Sequence, residues 1–496
     1  MIDAVTLQVM VGALRAACDE MGAVLVRAAH SANIKERRDC STGLFDAAGE
    51  MVMQAEHIPV HLGAMPAAVA AVLAEDHAPG DAWILNDPFR GGTHLPDITV
   101  ISPVFAGGEL LGFAATRAHH ADVGGRIPGS MPADSRSLDE EGVVIAPTRI
   151  ARQDQVDADV LHDLVGRMRR PLERLADLRA QLAANAAGAS RFAELVERFG
   201  IDAVREGMRE TLDYAERRTR ARITAMEDGQ RTAVDVLEAA AGDIELRLTA
   251  TVAGDAITLD FTGSAEQHEG NLNCPLAVTT SACYFAVRVL TDPDVPPCAG
   301  AYRPVRVIAP EGSLLNARAP AAVVAGNVET SSRVADLVLA AFGHALGQGT
   351  MNNVTLGNDE FTYYETLGGG QGACPDADGP SAVHVAMSNT LNTPIEALER
   401  EFPLRAVEYA VRSASGGAGA QRGGDGVVRE LEALAEMSFS LITERRRHAP
   451  RGAAGGGDGA RGRNSLNGAE LPPKATGTLR PGDRLRIETP GGGGHG

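Results

Sequence analysis

The stretch Asn86-Asp-Pro-Phe-Arg-Gly-Gly-Thr-His-Leu-Pro-Asp97 places a histidine and two aspartates in a short span of the chain. A second polar cluster, Ala118-His-His-Ala-Asp122, follows downstream. Two apolar runs of β-forming residues, 98–105 and 110–116, lie between the clusters and are separated by Gly107-Gly108. This pattern predicts a β-hairpin, because a glycine pair between two such runs favours a tight reversal. The hairpin would return the second cluster to the height of the first.

Imidazole and carboxylate groups that face one another are common ligands of Zn²⁺, Mn²⁺ and Fe²⁺. We therefore predict a metal site at which His94 and Asp97 meet a histidine of the downstream cluster. His119 and His120 would point to opposite faces of a strand, so only one of them can be a direct ligand. The other, with Asp122, would orient ligands or transfer protons. The alternative is a histidine held by a carboxylate for structural reasons alone.

Two further histidines precede this stretch, in Glu56-His-Ile-Pro-Val-His-Leu-Gly63. His57 and His61 would share a face if the segment were helical, but Pro59 between them favours an extended loop. Structural roles and ligand-orienting roles both remain open for these two residues.

Residues 66–78 are predicted to form a helix, and residues 81–86 a short buried strand. The strand would deliver Asp87 to the loop that carries His94. Asp87 is therefore a further candidate ligand of the predicted metal.

The composition is that of a globular protein, with 44% apolar and 22% charged residues. A formal charge of −19 disfavours a nucleic-acid partner and offers no basic face to an anionic membrane. The six cysteines include no C-x-x-C pair and indicate free thiols in a reducing compartment. Neither a signal-peptide pattern nor a membrane-spanning run is recognisable, so we expect a cytoplasmic protein.

The length of 496 residues predicts several domains. We expect an α+β, multidomain fold with mixed β-sheets, a central helical region and a Gly-rich β domain at the C-terminus. The glycine clusters of the last region are interpreted as tight turns. The predicted regions are a metal-site α/β region at 1–150, a helical region at 151–232, an α+β substrate-side domain at 233–410 and the Gly-rich β domain at 411–496.

Several loops of the second half carry amides, hydroxyls and glycines, which suit a small polar substrate. Among them, Gly326-Asn-Val-Glu-Thr-Ser-Ser332 is interpreted as a glycine turn into a helix N-terminus. Such a turn can bind an anion or serve as a plain cap. The sequence has neither a P-loop nor a nucleophile elbow, so no motif in it supplies ATP chemistry or a serine nucleophile.

These motifs resemble those of the hydantoinase B/oxoprolinase family over essentially the whole chain. That family comprises the second subunit of ATP-dependent lactam and hydantoin hydrolases and a related subunit of acetone- and acetophenone-type carboxylases. The resemblance rests on long strings in the same order, including Asn33-Ile-Lys-Glu-Arg-Arg-Asp39, Gly91-Gly-Thr-His-Leu-Pro-Asp97, Arg117-Ala-His-His-Ala-Asp-Val-Gly-Gly125, Gly326-Asn-Val-Glu-Thr330 and Glu488-Thr-Pro-Gly-Gly-Gly-Gly494.

The resemblance implies a division of labour in a heterotetramer or larger complex. A hydantoinase A-type subunit would bind ATP and phosphorylate the substrate or bicarbonate, and this chain would complete the reaction at a divalent Mn, Zn or Fe ion. The family pattern of His-x-x-Asp with a downstream histidine matches His94, Asp97 and His119. His120 and Asp122 would then move protons or orient ligands.

Four polar residues of the shared motifs and loops are predicted to bind the substrate: Arg38, Asn327, Glu329 and His384. The sequence departs from many relatives at Ala386, where they carry a second histidine, so the substrate itself is expected to differ.

The function implied first is the ring opening of a cyclic amide such as 5-oxoproline, hydantoin or a lactam. The second is a role as one component of an ATP-dependent ketone carboxylase. The third is a non-catalytic scaffold for the ATP-binding partner, which would hold no stoichiometric metal.

Overall fold

Four separate β-sheets and ten α-helices form the part of the chain that the computed structural model describes, residues 2–56 and 58–496. With 30% helix and 28% strand, the structure confirms the predicted α+β class. His57 lies outside the described residues. In the described part, no helix is both long enough and apolar enough to cross a membrane.

The helices are α1 Ala4–Ala28, α2 Ala32–Lys35, α3 Ala64–Ala70, α4 Leu138–Glu141, α5 Ala158–Gly166, α6 Pro171–Phe199, α7 Ile201–Thr224, α8 Leu276–Leu290, α9 Ser331–Ala341 and α10 Ile395–Glu401. Short 3₁₀-helices span Pro59–His61 and Ala299–Tyr302, and a π-helix spans Gly326–Thr330.

The first sheet is antiparallel throughout, with the strand order β2-β1-β5-β4-β3-β6-β7. Its strands are β1 Cys40–Asp46, β2 Met51–Glu56, β3 Ala82–Leu85, β4 Asp97–Ala106, β5 Glu109–His119, β6 Thr148–Arg152 and β7 Gln155–Val156.

Three smaller sheets follow, in the orders β11-β10-β9-β8, β13-β12-β16-β19 and β14-β15-β20-β17-β18. Their strands are β8 Gly229–Ala239, β9 Gly242–Ala253, β10 Ala256–Asp260, β11 Val305–Ile308, β12 Asn353–Gly357, β13 Thr362–Glu365, β14 Leu404–Arg412, β15 Gly426–Ala433, β16 Met437–Ile442, β17 Arg463–Leu466, β18 Ala469–Leu471, β19 Lys474–Leu479 and β20 Arg484–Glu488.

Helices α1 and α6 pack against the first sheet and bury apolar residues on it, including Leu14, Leu44 and Phe192. Two buried amides of α6 fix it to the central strands. Gln181 Nε2 donates to the carbonyl of Ile98, and Asn185 Nδ2 donates to the carbonyl of Val100. Because these bonds reach main-chain groups, they hold the helix at one height along β4.

The predicted hairpin is confirmed as β4 and β5, which pair antiparallel around Gly107-Gly108. Both glycines have positive φ, which suits the turn that joins the strands. The predicted N-terminal metal region is thus built on the two central strands of the first sheet. The domain boundaries given above stay a prediction.

The predicted helix over 66–78 is too long, because α3 ends at Ala70. Beyond the C-cap residue Ala71 the backbone bonds reach only three residues back, from Val72 N to the Val69 carbonyl and from Leu73 N to the Ala70 carbonyl. This tighter pattern does not continue an α-helix. The expected extended loop around Pro59 is also wrong, since proline is tolerated at the start of the 3₁₀-helix found there.

Gly326 does not begin a helix as predicted, because residues 324–325 are already helical and the π-helix continues into α9. The carboxylate of Glu141 accepts the N–H groups of Val323 and Val324, which occupies this helix start. Glycine is required at position 326 for a different reason, because a Cβ there would lie 1.7 Å from the carbonyl oxygen of Asn273. Close approach of two backbones therefore requires glycine here.

Most glycines of the C-terminal clusters lie in segments without regular secondary structure that pack on one another, so the prediction of tight turns is wrong for them. It is confirmed at Gly455, which has a φ of +97° in a turn where the N–H of Gly456 donates to the Ala453 carbonyl. The N–H of Gly417 donates to the Gly492 carbonyl and that of Gly494 to the Gly457 carbonyl, at 2.8 and 2.9 Å. A Cβ on Gly492 would lie 2.0 Å from the carbonyl oxygen of Gln371. Glycine serves here to let backbones touch, which leaves no room for side chains.

Candidate metal centre

The β4–β5 hairpin places Asp97 directly opposite His119 in the strand register. The Oδ1 atom of Asp97 is 3.4 Å from His119 Nδ1. The other carboxylate oxygen, Oδ2, accepts a hydrogen bond of 2.6 Å from the Thr93 hydroxyl. The site therefore begins where β4 starts and β5 ends, as the sequence pattern indicated.

His94 completes a group of three residues, with Asp97 and His119, whose candidate ligand atoms lie within 4.8 Å of one another. All three are buried. His94 Nε2 is 3.2 Å from Asp97 Oδ1, yet among the described residues neither ring nitrogen of His94 has a hydrogen-bond partner. Nε2 of His119 is also buried without a partner. Such orphaned nitrogens are costly unless an additional group satisfies them.

The spacing of these atoms is compatible with a shared metal ion. Two ligand atoms that each lie about 2.1 Å from one metal are about 3.0–3.4 Å apart at octahedral or tetrahedral angles. The separations of 3.2 and 3.4 Å from Asp97 Oδ1 to His94 and His119 fall in this range. The donor set of two imidazoles and one carboxylate fits Zn²⁺, Mn²⁺ or Fe²⁺.

His61 is a fourth member of the site, for which the sequence left structural and ligand-orienting roles open. Its Nδ1 lies 2.8 Å from the hydroxyl of Ser41, and its Nε2 lies 3.4 Å from Asp97 Oδ2. The signal in the sequence was the pair of histidines in the motif Glu56-His-Ile-Pro-Val-His-Leu-Gly63. Only the fold places His61 at the carboxylate, because the 3₁₀-helix that carries it lies distant from Asp97 along the chain.

The electrostatic balance favours an anionic Asp97 carboxylate beside a neutral His94 imidazole. Burial raises the pKa of Asp97, but the imidazoles of His94, His119 and His61 outweigh this and hold the pKa well below its usual range. Burial lowers the pKa of His94, although Asp97 and Asp39 partly oppose the shift. Metal binding requires these protonation states, since a protonated imidazole cannot coordinate.

The loop before His94 is shaped by backbone constraints rather than by a ligand role of Asp87. The carboxylate of Asp87 accepts the N–H of Phe89 at 3.0 Å and stays outside the three-residue group. A Cβ on Gly92 would lie 2.2 Å from the Asn86 carbonyl oxygen, which requires glycine. Arg117 fixes the same loop, because its Nη2 donates to the Gly91 carbonyl at 2.8 Å.

Tyr364 of β13 covers His119, with ring centroids 4.5 Å apart and an interplanar angle of 7°. The buried guanidinium of Arg37 lies 4.6 Å from the Tyr364 ring centroid and 3.7 Å from Asp39 Oδ2. The Tyr364 hydroxyl accepts from Asn353 Nδ2 at 2.5 Å. The sequence did not identify Arg37 or Asp39, because a mixed-charge run usually lies on the surface.

His120 and Asp122, the predicted proton-transfer groups, make other contacts. His120 Nε2 lies 3.0 Å from Gln181 Oε1 of α6, and burial lowers the pKa of His120 to about 4. Asp122 accepts the N–H groups of Gly124 and Gly129 and pairs with Arg169 at 3.1 Å. Both side chains hold neighbouring elements together.

The four predicted substrate-binding residues do not form one cluster around His94, Asp97 and His119. Arg38 is exposed, whereas Asn327 and Glu329 are buried in the π-helix. Burial raises the pKa of Glu329 to about 8, and the carboxylate of Glu444 adds to the shift. His384 Nδ1 lies 2.6 Å from the Ser388 hydroxyl, and burial together with the charge of Arg37 lowers its pKa to about 4.

Comparisons with known proteins agree with this architecture. The family model described as hydantoinase B/oxoprolinase matches residues 3–496. The 5-oxoprolinase 1 of Arabidopsis thaliana is 40% identical over 96% of this chain, which spans 40% of that protein's length. A putative D-/L-hydantoinase subunit of Pseudomonas sp. is 32% identical over 100% of this chain and 90% of its own length. The crystal structure of the ATP-dependent caprolactamase of Pseudomonas jessenii superposes with a TM-score of 0.93 at 29% identity, covering 100% of this chain and 91% of that chain.

Proposed function

Because the chain belongs to the hydantoinase B/oxoprolinase family, we propose that it is the metal-dependent catalytic unit of an ATP-dependent cyclic amide hydrolase. The substrates named for the relatives support this: 5-oxoproline, hydantoins and caprolactam are all cyclic amides. Ring opening of 5-oxoproline, a hydantoin or a simple lactam is the reaction class that we assign. The plant relative is a longer chain, of which this chain spans 40%.

The observation that carries the proposal is the buried group of His94, Asp97 and His119. We assign these residues as metal ligands, with His61 as a further candidate beside Asp97. A divalent metal at this place would polarise an amide carbonyl or lower the pKa of water. The ring nitrogens without partners and the depressed pKa of Asp97 support this assignment.

Other buried residues surround the proposed metal ligands and hold them in position. Tyr364 packs on His119 and limits the positions of its ring, and Arg37 lies over Tyr364 beside Asp39. The Ser41 hydroxyl fixes the orientation of His61. Since all of these residues are buried, they hold the site dry and pre-organised, which strengthens electrostatic interactions with a reacting carbonyl.

We assign no proton-transfer role to His120 or Asp122. His120 is bonded to Gln181, and Asp122 holds the loop through Gly129 and the α5–α6 connection through Arg169. A general acid or base must reach the reacting group within hydrogen-bond distance, and His120 Nε2 and both carboxylate oxygens of Asp122 already bond to other groups.

We further propose that a separate ATP-binding unit of the hydantoinase A type activates the substrate. The sequence has no P-loop, and hydrolysis of an unstrained lactam can be unfavourable unless it is coupled to ATP hydrolysis. The Pseudomonas sp. relative is named as one subunit of a hydantoinase, which supports an assembly of different chains.

The test is lactam-dependent ADP release by the chain copurified with its ATP-binding partner. We expect turnover with at least one of 5-oxoproline, hydantoin and 2-pyrrolidinone. The variant His94→Ala should lose more than about 100-fold in rate, because removing a group that merely orients a ligand already costs 10–100-fold. His162→Ala, at an exposed position of α5, is the matched control.

Absence of turnover with all three amides would overturn the hydrolase assignment. Consumption of a ketone that depends on bicarbonate, with the amides inert, would select the carboxylase alternative. Full activity of His94→Ala would instead leave the chain with a scaffold role.

A further inference from the structure

An open edge of the five-stranded sheet carries exposed apolar side chains. Strand β14 stands first in the order of that sheet and is bonded to β15 on one side, so its other side faces no strand among the described residues. Tyr409 and Val411 of β14 are 42% and 51% exposed. Unpaired edges of this kind readily add further strands, and natural proteins usually block them with proline, lysine or a covering segment.

The first half of this edge is covered. The N–H of Ala406 donates to Glu399 Oε1 of α10 at 2.9 Å, and the register with β15 shifts directly after Ala406. Beyond Arg412, where β14 ends, the chain enters a turn in which Ala414 has a φ of +65°. The open length is therefore residues 408–412, which contain neither proline nor lysine.

The backbone of this open segment directs the N–H and C=O groups of Tyr409 and Val411 outward. Val427 of β15 bonds in the direction of β20, because its N–H donates to Thr489 Oγ1 and its carbonyl accepts the Thr489 N–H. Val411 is the cross-strand partner of Val427, so this pair belongs to the kind without mutual hydrogen bonds and Val411 faces away from β15. Orientation alternates along a strand, and Tyr409 therefore faces the same way.

A second β14 strand is complementary to this edge in one register. In an antiparallel pair about a two-fold axis, outward-facing residues must meet one another, which allows registers centred on Tyr409, Ala410 or Val411. Of these, only the register centred on Ala410 sets Glu408 opposite Arg412 of the second copy. The same register sets Tyr409 opposite Val411 of the second copy, and an aromatic and a β-branched side chain are a favourable cross-strand pair.

The two charged residues are accessible from the edge. The side chains of Glu408 and Arg412 are 42% and 23% exposed. Within the chain, Glu408 pairs with Arg486 at 2.6 Å, and Arg412 lies 3.6 Å from Glu488. A pair between Glu408 and Arg412 of a second copy would extend this network across the edge. This charge complementarity favours a second copy of the chain as the occupant, because opposite charges face each other twice about the axis.

We propose that β14 pairs antiparallel with β14 of a second copy of this chain over residues 408–412, with the two-fold axis at Ala410. The pairing joins two five-stranded sheets into one continuous sheet. Backbone hydrogen bonds between Tyr409 and Val411 and the two charge pairs hold the dimer together. The Val411 carbonyl accepts the Ser413 N–H at 3.1 Å and has a second lone pair for the bond across the axis. The proposed metal ligands take no part in this interface, so the inference is independent of the proposed function.

The test is sedimentation equilibrium of the full chain over a range of concentrations. We expect a monomer–dimer equilibrium with a dissociation constant on the order of 10 μM, since so short a pairing makes a small interface. Val411→Lys places an ammonium group on the open edge of each copy and should raise the dissociation constant about tenfold or more. Glu408→Arg should also raise it about tenfold, because like charges would face each other twice.

The double variant Glu408→Arg/Arg412→Glu exchanges the two charges and should bring the dissociation constant back to within about threefold of the wild-type value. This recovery also shows that the first substitution did not act by unfolding the chain. Arg405→Glu, on the covered half of the strand, alters the net charge by the same amount as Glu408→Arg. Its side chain is 59% exposed, and the variant should dimerise as the wild type does.

A wild-type chain that stays monomeric at every concentration would overturn the inference. A dimer that is unaffected by Val411→Lys and Glu408→Arg would also overturn it, and so would a double variant as weak as Glu408→Arg alone. If the wild-type chain is monomeric and Val411→Lys abolishes binding of the ATP-binding partner, the edge belongs to that partner and the proposed dimer is wrong.

Discussion

Asp97 and His119 are cross-strand partners, and the same pairing that closes the β4–β5 ladder sets Asp97 Oδ1 3.4 Å from His119 Nδ1. The relative positions of these two candidate ligands are therefore fixed by strand register. A slip of one residue would turn one of the two side chains to the other face of the sheet.

Replacing the central carboxylate should abolish metal binding. Asp97→Asn keeps the size of the side chain but removes the charge that faces His94, His119 and His61. We expect one tightly bound divalent ion per wild-type chain and loss of that ion in the variant, measured by elemental analysis after gel filtration. Asp163→Asn, an exposed aspartate of α5, is the control and should retain the metal. A full complement of metal in Asp97→Asn would contradict the assignment.

Removing the hydroxyl behind His61 should weaken metal binding without abolishing it. Ser41 lies 2.8 Å from His61 Nδ1 and fixes the ring that faces Asp97. We expect Ser41→Ala to raise the dissociation constant for Mn²⁺ or Zn²⁺ about 10–100-fold, as for other groups that orient ligands. Competition with a chromogenic chelator measures the constant. Ser190→Ala, at an exposed position of α6, should give the wild-type value, and an equal affinity of Ser41→Ala would show that His61 takes no part.

The buried carboxyl of Glu329 should make the free energy of unfolding fall as pH rises. Its pKa is raised from 4.5 to about 8 in the folded protein, so the folded state binds a proton that the unfolded state has released. Between these values stability decreases by up to about 1.4 kcal/mol per pH unit for this group. In Glu329→Gln that contribution disappears. Urea unfolding from pH 5 to pH 8 should therefore show a smaller loss of stability in the variant than in the wild type.

Glu311→Gln is the matched control for this measurement, since the Glu311 side chain is 71% exposed. It should show the wild-type dependence on pH. Parallel curves for wild type and Glu329→Gln would contradict a protonated Glu329.

A methyl group in the glycine bundle should destabilise the protein. The Cβ of Gly492→Ala would meet the Gln371 carbonyl oxygen at 2.0 Å, and a backbone atom cannot move away alone. We expect a loss of about 1–3 kcal/mol or more in the free energy of unfolding. Gly12→Ala in α1 has no atom within 4 Å of its Cβ and should gain about 0.5–1 kcal/mol. Thermal and urea unfolding of both variants measure the difference, and equal stabilities would contradict close backbone packing.

The sequence was sufficient to predict local structure where it depends on the spacing of apolar residues and on turn residues a few positions apart. An example is the β4–β5 hairpin around Gly107-Gly108. The meeting of His94 and Asp97 with a histidine of the downstream cluster followed from the hairpin, and the structure places His119 there. These features depend on contacts between neighbours in sequence or across one turn.

The glycine clusters show where such reasoning fails. Tight turns and backbone-to-backbone packing both demand glycine, so composition does not distinguish them. Gly492 is used for the second purpose, because segments distant in the chain meet at Gln371.

The chain's sequence alone thus determined the α+β class, the central hairpin and the family, since these depend on short-range pattern and on long motifs read in order. Only the tertiary structure decided that His61 joins Asp97, that Arg37 rather than Arg38 is buried near the metal group, and that His120 binds Gln181 instead. The physical reason is that burial and contact between distant segments depend on how sheets and helices pack. A string of polar residues does not reveal which of its members will face a site.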